Sequence, residues 1–219
     1  MNDAHRKIAR EIAQKYLSAG DPLGWFEDLY SRGDVSIIPW ADLVPNPHLV
    51  AWLDQHQVSA QGQKALKVGC GLGDDAEELS RRGFDTTAFD ISKTAIAWCH
   101  RRFPETKVKY LVADLFEAPS DWNGKFDFVL ESYTLQQLPP NLRGHAMRRI
   151  AAFIAPGGTL LVIARGREPT DPEGKMPWPL IRQELNTFTR NGLREISFED
   201  YVDREDPSVR RFRVTYELE

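Results

Sequence analysis

The sequence predicts an α/β protein: a mostly parallel sheet with helices on both faces. Three observations carry this. Short apolar runs alternate with helix-period segments between residues 65 and 164. A glycine-rich turn, Gly69-Cys70-Gly71-Leu72-Gly73, joins the first of those runs to the first helix. The chain has 219 residues, 42% of them hydrophobic, which suits one domain with one sizeable core.

Taken in order, residues 1–19 have helix periodicity, with Ile8, Ile12, Tyr16 and Leu17 near one face. A second helix is predicted over 22–31, where Pro22 suits a first turn and Trp25, Phe26 and Leu29 form the apolar side. SIIPWADLVPNPH is proline-rich and aromatic, hence a loop, and Leu49–His56 is a further helix. Strands follow at Ala65–Val68, FDTTAFDI, KVKYLVAD, KFDFVLES and GTLLVIA. The helices between them are Asp74–Arg82, Ser92–Arg102 and Asn141–Ile154. Alternation of this kind places the strands side by side in a parallel sheet. REPTDPEGKMPWP, with four prolines between 169 and 179, is a long loop before a helix at Leu180–Thr189. EISFEDYV and VRRFRVTYELE close the chain as a strand hairpin, giving seven strands. The arginines of Arg210-Arg211-x-Arg213 are expected to protect an exposed edge strand.

Composition narrows the function classes. Lys and Arg total 28 and Asp and Glu 32, a net charge of −4, which is a poor footprint for nucleic-acid binding. The mean hydropathy is −0.45, and no apolar run is long enough to span a bilayer. The first residues lack the apolar core of a secretory signal, so a cytoplasmic protein is expected. Two cysteines make no disulfide framework, and five scattered histidines make no metal site, so no metal is expected. A small-molecule partner, no nucleic acid, no membrane, and a monomer or weak homodimer are the expected partnerships.

The glycine turn selects a ligand. Glycines there allow positive φ and close approach of a ligand. About twenty residues on, Asp90 ends the second strand, where an acceptor for ribose hydroxyls belongs. An Asp at such a place can instead cap the next helix, but Ser92 is available for capping. The dinucleotide fingerprint requires a third glycine at position 74, and that residue is Asp. Asp74, Asp75, Glu77 and Glu78 crowd the helix start, a poor place for pyrophosphate and a good one for a cationic ligand. S-adenosylmethionine has an adenosine, a ribose, a sulfonium and no phosphate.

VGCGLGDDAEELSRRGFDTTAFDIS, ADLF, FDFVLES and APGGTLLVI occur in the order of the motifs of class I S-adenosylmethionine-dependent methyltransferases. The resemblance covers about residues 64–166 and implies a Rossmann-like class I methyltransferase fold. SIIPWADLVPNPHL, YTLQQLPPNLR and PWPL are similar to the thiopurine methyltransferase-like family, which includes halide and thiol methyltransferases. That resemblance implies a single domain, 1–219, with residues 1–56 as a helical lid over an α/β core at 64–219. It implies that Gly69, Gly71 and Gly73 pack against the cofactor's methionine part and ribose. Asp90 would bind the ribose hydroxyls and Ile91 would pack on the adenine. Asp114 would take the adenine amino group, with Leu115 on the ring or simply in the core. Phe26, Tyr30 and Trp40 of the lid and Glu131 at the end of the fourth strand complete the expected cofactor set.

Tyr133 is the expected catalytic and substrate-facing residue, since aromatic faces attract a sulfonium. Trp40 could share that role or staple the N-terminal helices. Arg143, Arg165 and Trp178 are candidate substrate contacts; either arginine could instead be ion-paired at the surface. No catalytic base is legible, and His48 and His145 read as helix-face residues. Residues 20–47 and 165–180, rich in proline and large apolar groups, are expected to close over the sheet's carboxyl edge. The implied activity is methyl transfer to a small soft nucleophile: thiol, halide or metalloid. A small-molecule N- or O-methyltransferase, an NAD-dependent oxidoreductase and a non-catalytic cofactor-binding module are the alternatives.

Overall fold

The computed structural model describes residues 3–204 and 208–219. Its helices are α1 (Asp3–Ser18), α2 (Gly24–Ser31), α3 (Pro47–Gln55), α4 (Asp74–Arg81), α5 (Lys93–Arg102), α6 (Pro140–Ala152) and α7 (Arg182–Arg190). Its strands are β1 (Lys64–Val68), β2 (Asp85–Asp90), β3 (Lys109–Val112), β4 (Phe126–Ser132), β5 (Ile154–Arg165), β6 (Leu193–Val202) and β7 (Arg210–Leu218). Every predicted element is present, with ends moved by a few residues. The helix expected over 1–19 starts, within the described residues, at Asp3, and residues 1–2 lie outside them.

The seven strands are ordered β3-β2-β1-β4-β5-β7-β6, and the first five in chain order run parallel. Chain direction across the sheet reverses between β1 and β4, and the carboxyl ends at such a switch point leave a crevice. Both faces of the central strands are buried, as a parallel sheet requires. Val129, Leu160 and Val162 point to the face packed by Phe89, Trp122 and Phe153. Phe128, Leu130, Leu161 and Ile163 point to the other face, under Leu49, Trp52 and Leu53 of α3. The two-residue period of a strand produces that division.

The C-terminal hairpin departs from expectation. β7 lies between β5 and β6, antiparallel to both, so β6 forms the edge. The arginines of β7 are therefore not edge guards. Arg211 is 2% exposed and bonds Asp203 Oδ2 through Nε at 2.6 Å. Arg213 is bound to Glu199 at 2.7 Å and to the His48 carbonyl at 2.9 Å. Burial of a guanidinium demands such partners.

The N-terminal segment forms a separate apolar cluster of Ala9, Ile12, Trp25, Leu29 and Tyr30, joined by Met176 from the late loop. Arg10 Nε donates to the Met176 carbonyl at 2.7 Å. Glu27 ties α2 to the start of α5. Its carboxylate accepts from Ser92 Oγ at 2.6 Å, Thr94 Oγ1 at 2.6 Å and the Thr94 amide at 3.2 Å. Burial opposes its charge, yet these hydrogen bonds hold its carboxyl below the usual value. Ser92 also caps α5 by accepting from Ala95 N, as the sequence suggested.

Candidate active site

An open cavity lies at the carboxyl ends of β1, β2 and β4. The glycine turn forms one wall. Gly69 and Gly71 have φ of +58° and +55°, which side chains rarely adopt. A Cβ on Gly71 would stand 3.2 Å from Tyr30 Oη and 3.6 Å from Trp40 Nε1. Those two rings are locked together, with Trp40 Nε1 donating to Tyr30 Oη at 2.8 Å. Trp25 stacks on Phe26 at 4.0 Å and meets Trp40 edge-on at 6.0 Å. Phe26, Tyr30 and Trp40 all line the cavity, as expected of the N-terminal segment.

Asp90 is buried at the end of β2 and lines the same cavity. Its Oδ2 accepts from Gly71 N at 2.9 Å and its Oδ1 from Ser92 N at 3.0 Å. The capping hydroxyl of Ser92 therefore does not free Asp90 from the backbone. A carboxylate has about four lone-pair sites, so two remain for a pair of hydroxyls. Burial pushes the Asp90 carboxyl up, opposed by the two amides and the Lys67 ammonium. Ile91, Asp114, Leu115 and Phe116 line a neighbouring slot. Asp114 uses Oδ1 to accept from Phe116 N at 2.8 Å, which fixes the turn carrying Leu115 and Phe116.

Tyr133 lines the cavity beyond β4 with a left-handed φ of +66°. That conformation is costly for a bulky residue, and here two contacts hold it. Its amide donates to the Ile163 carbonyl at 3.0 Å, and the Arg211 guanidinium lies 4.7 Å from its ring centre.

The far end is polar, and most of it was missed. Lys67, inside the apolar run of β1, is 3% exposed. Its ammonium donates to the carbonyls of Val68 at 2.9 Å, Gly69 at 3.2 Å and Ser132 at 3.4 Å. Asn46 donates from its amide to Asp75 Oδ1 at 2.8 Å and from Nδ2 to Ser132 Oγ at 2.9 Å. Burial raises the Asp75 carboxyl, while Lys67 and the hydrogen bonds from Asn46 and Ser132 pull it down. A lysine interrupting a buried strand was the available sequence signal.

Several expected site residues lie elsewhere. Gly73 starts α4 and faces β3; a Cβ there would meet Tyr110 Oη at 2.5 Å, so packing rather than a ligand requires the glycine. Glu131 folds back under the next turn, with Oε1 accepting from Thr134 N at 2.7 Å and Leu135 N at 2.9 Å. Burial drives its carboxyl up to about 7. Arg143 spends its guanidinium on the Leu138 carbonyl, Glu184 Oε1 and the Trp178 carbonyl. Arg165 lies on β5, one strand further from the switch point, with its amide donating to Gln136 Oε1 at 2.7 Å. Trp178 is held outside the cavity through its amide on the Gln136 carbonyl at 2.8 Å. Residues 165–180 thus buttress the turn after β4 from outside, and only the 20–47 segment faces the cavity.

The acidic helix start is also largely neutralised. Arg102 makes a two-pronged pair with Asp74, both bonds 2.7 Å, and Glu78 is held by Arg81 and Arg82. Glu77 accepts from Tyr110 Oη and Thr106 Oγ1. Asp74 and Asp75 are the acids of that cluster that line the cavity. Among the described residues no group of acids, cysteines and histidines could hold a metal, no helix is long and apolar enough to cross a membrane, and no histidine lines the cavity.

The lining fits S-adenosylmethionine. Asp90 matches a ribose, the Ile91–Leu115 slot a flat base, the aromatic rings a sulfonium, and Asp75 with Asn46 and Ser132 an amino-acid tail.

Residues 65–158 match the family model of a methyltransferase domain. A ubiquinone biosynthesis O-methyltransferase of Bordetella avium is 31% identical over 127 residues, 57% of this chain and 52% of that protein. A 2-heptyl-1-hydroxyquinolin-4(1H)-one methyltransferase of Mycobacteroides abscessus is 27% identical over 150 residues, 67% of this chain and 64% of that protein. The chain thus spans between half and two thirds of the curated relatives it matches. Among solved structures, 1,6-didemethyltoxoflavin-N1-methyltransferase of Burkholderia thailandensis, with bound 1,6-didemethyltoxoflavin and S-adenosylhomocysteine, superposes with a TM-score of 0.68. It is 18% identical, and the match covers 98% of this chain and 89% of that one. Residues 65–158 are thus similar to a methyltransferase domain, and the chain has the fold of the class I, Rossmann-like methyltransferases.

Proposed function

We propose that the chain transfers the methyl group of S-adenosylmethionine to a small acceptor, and that residues 1–56 serve as a lid over the site. The observation that carries this is the cation balance of the cavity. Carboxylates and aromatic rings line it, and the lone ammonium among its described lining residues, Lys67, is already held by three carbonyls. Such a lining suits a sulfonium and leaves nothing to grip a pyrophosphate, which argues against the oxidoreductase alternative.

The cofactor supplies an electrophilic methyl on a positively charged sulfur. Methyl transfer moves that group in line onto the acceptor's lone pair, and the sulfur keeps the bonding electrons and becomes neutral. What the chain contributes is alignment and a preorganised field. Asp90 fixes the ribose end. Trp40, Tyr30 and Tyr133, which line the cavity, would surround the sulfonium and keep water out. Asp75 and Asn46 orient the tail.

Two acceptor classes follow. The first is a soft nucleophile, a thiol, halide or metalloid. Its support is the resemblance of residues 36–49 and 133–143 to thiol and halide methyltransferases, and a lining without histidine, since a thiolate needs no strong base. The second is a ring hydroxyl or nitrogen, favoured by the activities named for the curated relatives. The deciding assay follows formation of S-adenosylhomocysteine with small thiols, halides, hydroxyarenes, RNA and protein, beside calorimetry with S-adenosylmethionine and NAD. Turnover of small molecules is expected. Methylation of RNA or protein with all small acceptors inert, or binding of NAD in place of S-adenosylmethionine, would overturn the proposal.

A further inference from the structure

We infer that Lys67 is a positioning residue of the cofactor site: without touching the ligand, its buried ammonium ties the turn after β1 to the end of β4 and balances the charge of Asp75 and Asp90 on the cavity wall. This rests on the methyl-transfer reading and adds to it a residue that acts through others.

Lys67 stands where an apolar side chain would be the cheaper choice. Its neighbours on β1, Leu66 and Val68, are fully buried, and Lys67 itself is 3% exposed. Burying an ammonium is expensive unless its hydrogen bonds and its charge are both answered. Backbone answers the hydrogen bonds. Nζ donates to the carbonyls of Val68 and Gly69 on one side and to that of Ser132, which ends β4, on the other. Thr134 Oγ1 adds a second tie across the same gap, donating to the Val68 carbonyl at 3.1 Å. An ammonium has three donors, so none is left for a ligand. β1 and β4 flank the switch point, and these bonds fix the spacing of the two turns that wall the cavity.

The acids of the cavity answer the charge. Asp42, Asp74, Asp75, Asp90 and Asp114 line it, and Lys67 is the only lysine or arginine among its described lining residues. Asp74 already has Arg102. Asp75 and Asp90 are buried, and each faces another acid: Asp74 beside Asp75, and Glu27 beside Asp90. Tyr30 and Cys70 also face Asp90. Lys67 is the cation that faces both carboxyls, and it pulls both down against burial. It acts the same way on Glu131, which Arg143 also faces. As a carboxylate, Asp90 can accept from both ribose hydroxyls; once protonated it spends one oxygen on its own proton.

The test titrates the full chain with S-adenosylhomocysteine, whose sulfur carries no charge, by calorimetry between about pH 5 and 8. Wild type, Lys67→Met, Lys67→Gln and Lys67→Arg are compared. Loss of the ammonium raises both carboxyls further, so binding in Lys67→Met should begin to fail at a higher pH than in wild type. The ratio of variant Kd to wild-type Kd is expected to rise roughly tenfold from about pH 8 to about pH 5. Lys67→Arg keeps the charge and should hold that ratio level. The rise should survive when Glu131→Gln is added to both chains compared, which takes that carboxyl out of the titration. Lys67→Gln is read in place of Lys67→Met if the latter does not fold or bind. If both neutral variants fold and neither binds, binding restored in Lys67→Arg supports the inference and its absence overturns it. A level ratio in the neutral variants overturns it, since the ammonium then only braces the backbone. So does an equal rise in Lys67→Arg, a rise that vanishes with Glu131→Gln, or failure of both neutral variants to fold. Methyl transfer stands in each of those cases. Failure of the wild type to bind S-adenosylhomocysteine removes the methyl-transfer reading itself.

Discussion

The amide of Gly71 donates to the Asp90 carboxylate, 2.9 Å from Oδ2, across 19 residues of sequence. The end of β2 and the turn after β1 are therefore one unit. The turn keeps its left-handed shape partly because the expected ribose ligand holds it.

Replacing Asp90 by Ala should damage both jobs. Loss of hydrogen bonds to a charged acceptor is expected to cost about 1.5–3 kcal/mol of S-adenosylmethionine binding. Calorimetry checks this; unchanged affinity in a folded variant would show that Asp90 serves the turn alone.

Trp40→Ala should separate the two forms of the cofactor. The sulfonium charge is present before transfer and absent after it. Removing a ring from its surroundings should weaken S-adenosylmethionine by about 0.5–2 kcal/mol and S-adenosylhomocysteine by less. Equal weakening would mean that Trp40 acts only by covering apolar surface.

Glu131 gives stability a pH signature. Its carboxyl is raised by burial to about 7, so the folded state holds its proton more tightly than the unfolded chain. Stability from this group is full below the unfolded value of about 4.3 and falls as pH rises to about 7. The loss is roughly 4 kcal/mol at most. Glu131→Gln should flatten the urea-midpoint profile between pH 4.5 and 7; a profile parallel to wild type would disprove the assignment.

Arg211 bonds Asp203 Oδ2 at 2.6 Å and lies over the Tyr133 ring. Arg211→Ala leaves a carboxylate 5% exposed beside an apolar gap. The expected destabilisation is about 3–5 kcal/mol by urea unfolding. A loss under 1 kcal/mol would mean that the remaining contacts of Asp203 carry it.

What the sequence alone determined was local. Strand and helix periods, the glycine turn, the cap at Ser92 and the spacing from the turn to Asp90 are set by near neighbours, and all are found. Phe26, Tyr30, Trp40, Asp90, Ile91, Asp114, Leu115 and Tyr133 reach the cavity because they sit at strand ends or on the covering segment. The tertiary structure decided which polar groups remain for a ligand. Arg143 looked available in the sequence, but Glu184, 41 residues away, takes it. Lys67 and Asn46 are not among the expected site residues, yet both converge on Ser132, 65 and 86 residues away, at the cavity's polar end. The C-terminal arginines read as edge guards until β7 took its place between β5 and β6. A side chain's type is written locally. Its partners are chosen by packing between distant segments, and a buried charge or amide acts on whatever that packing leaves beside it.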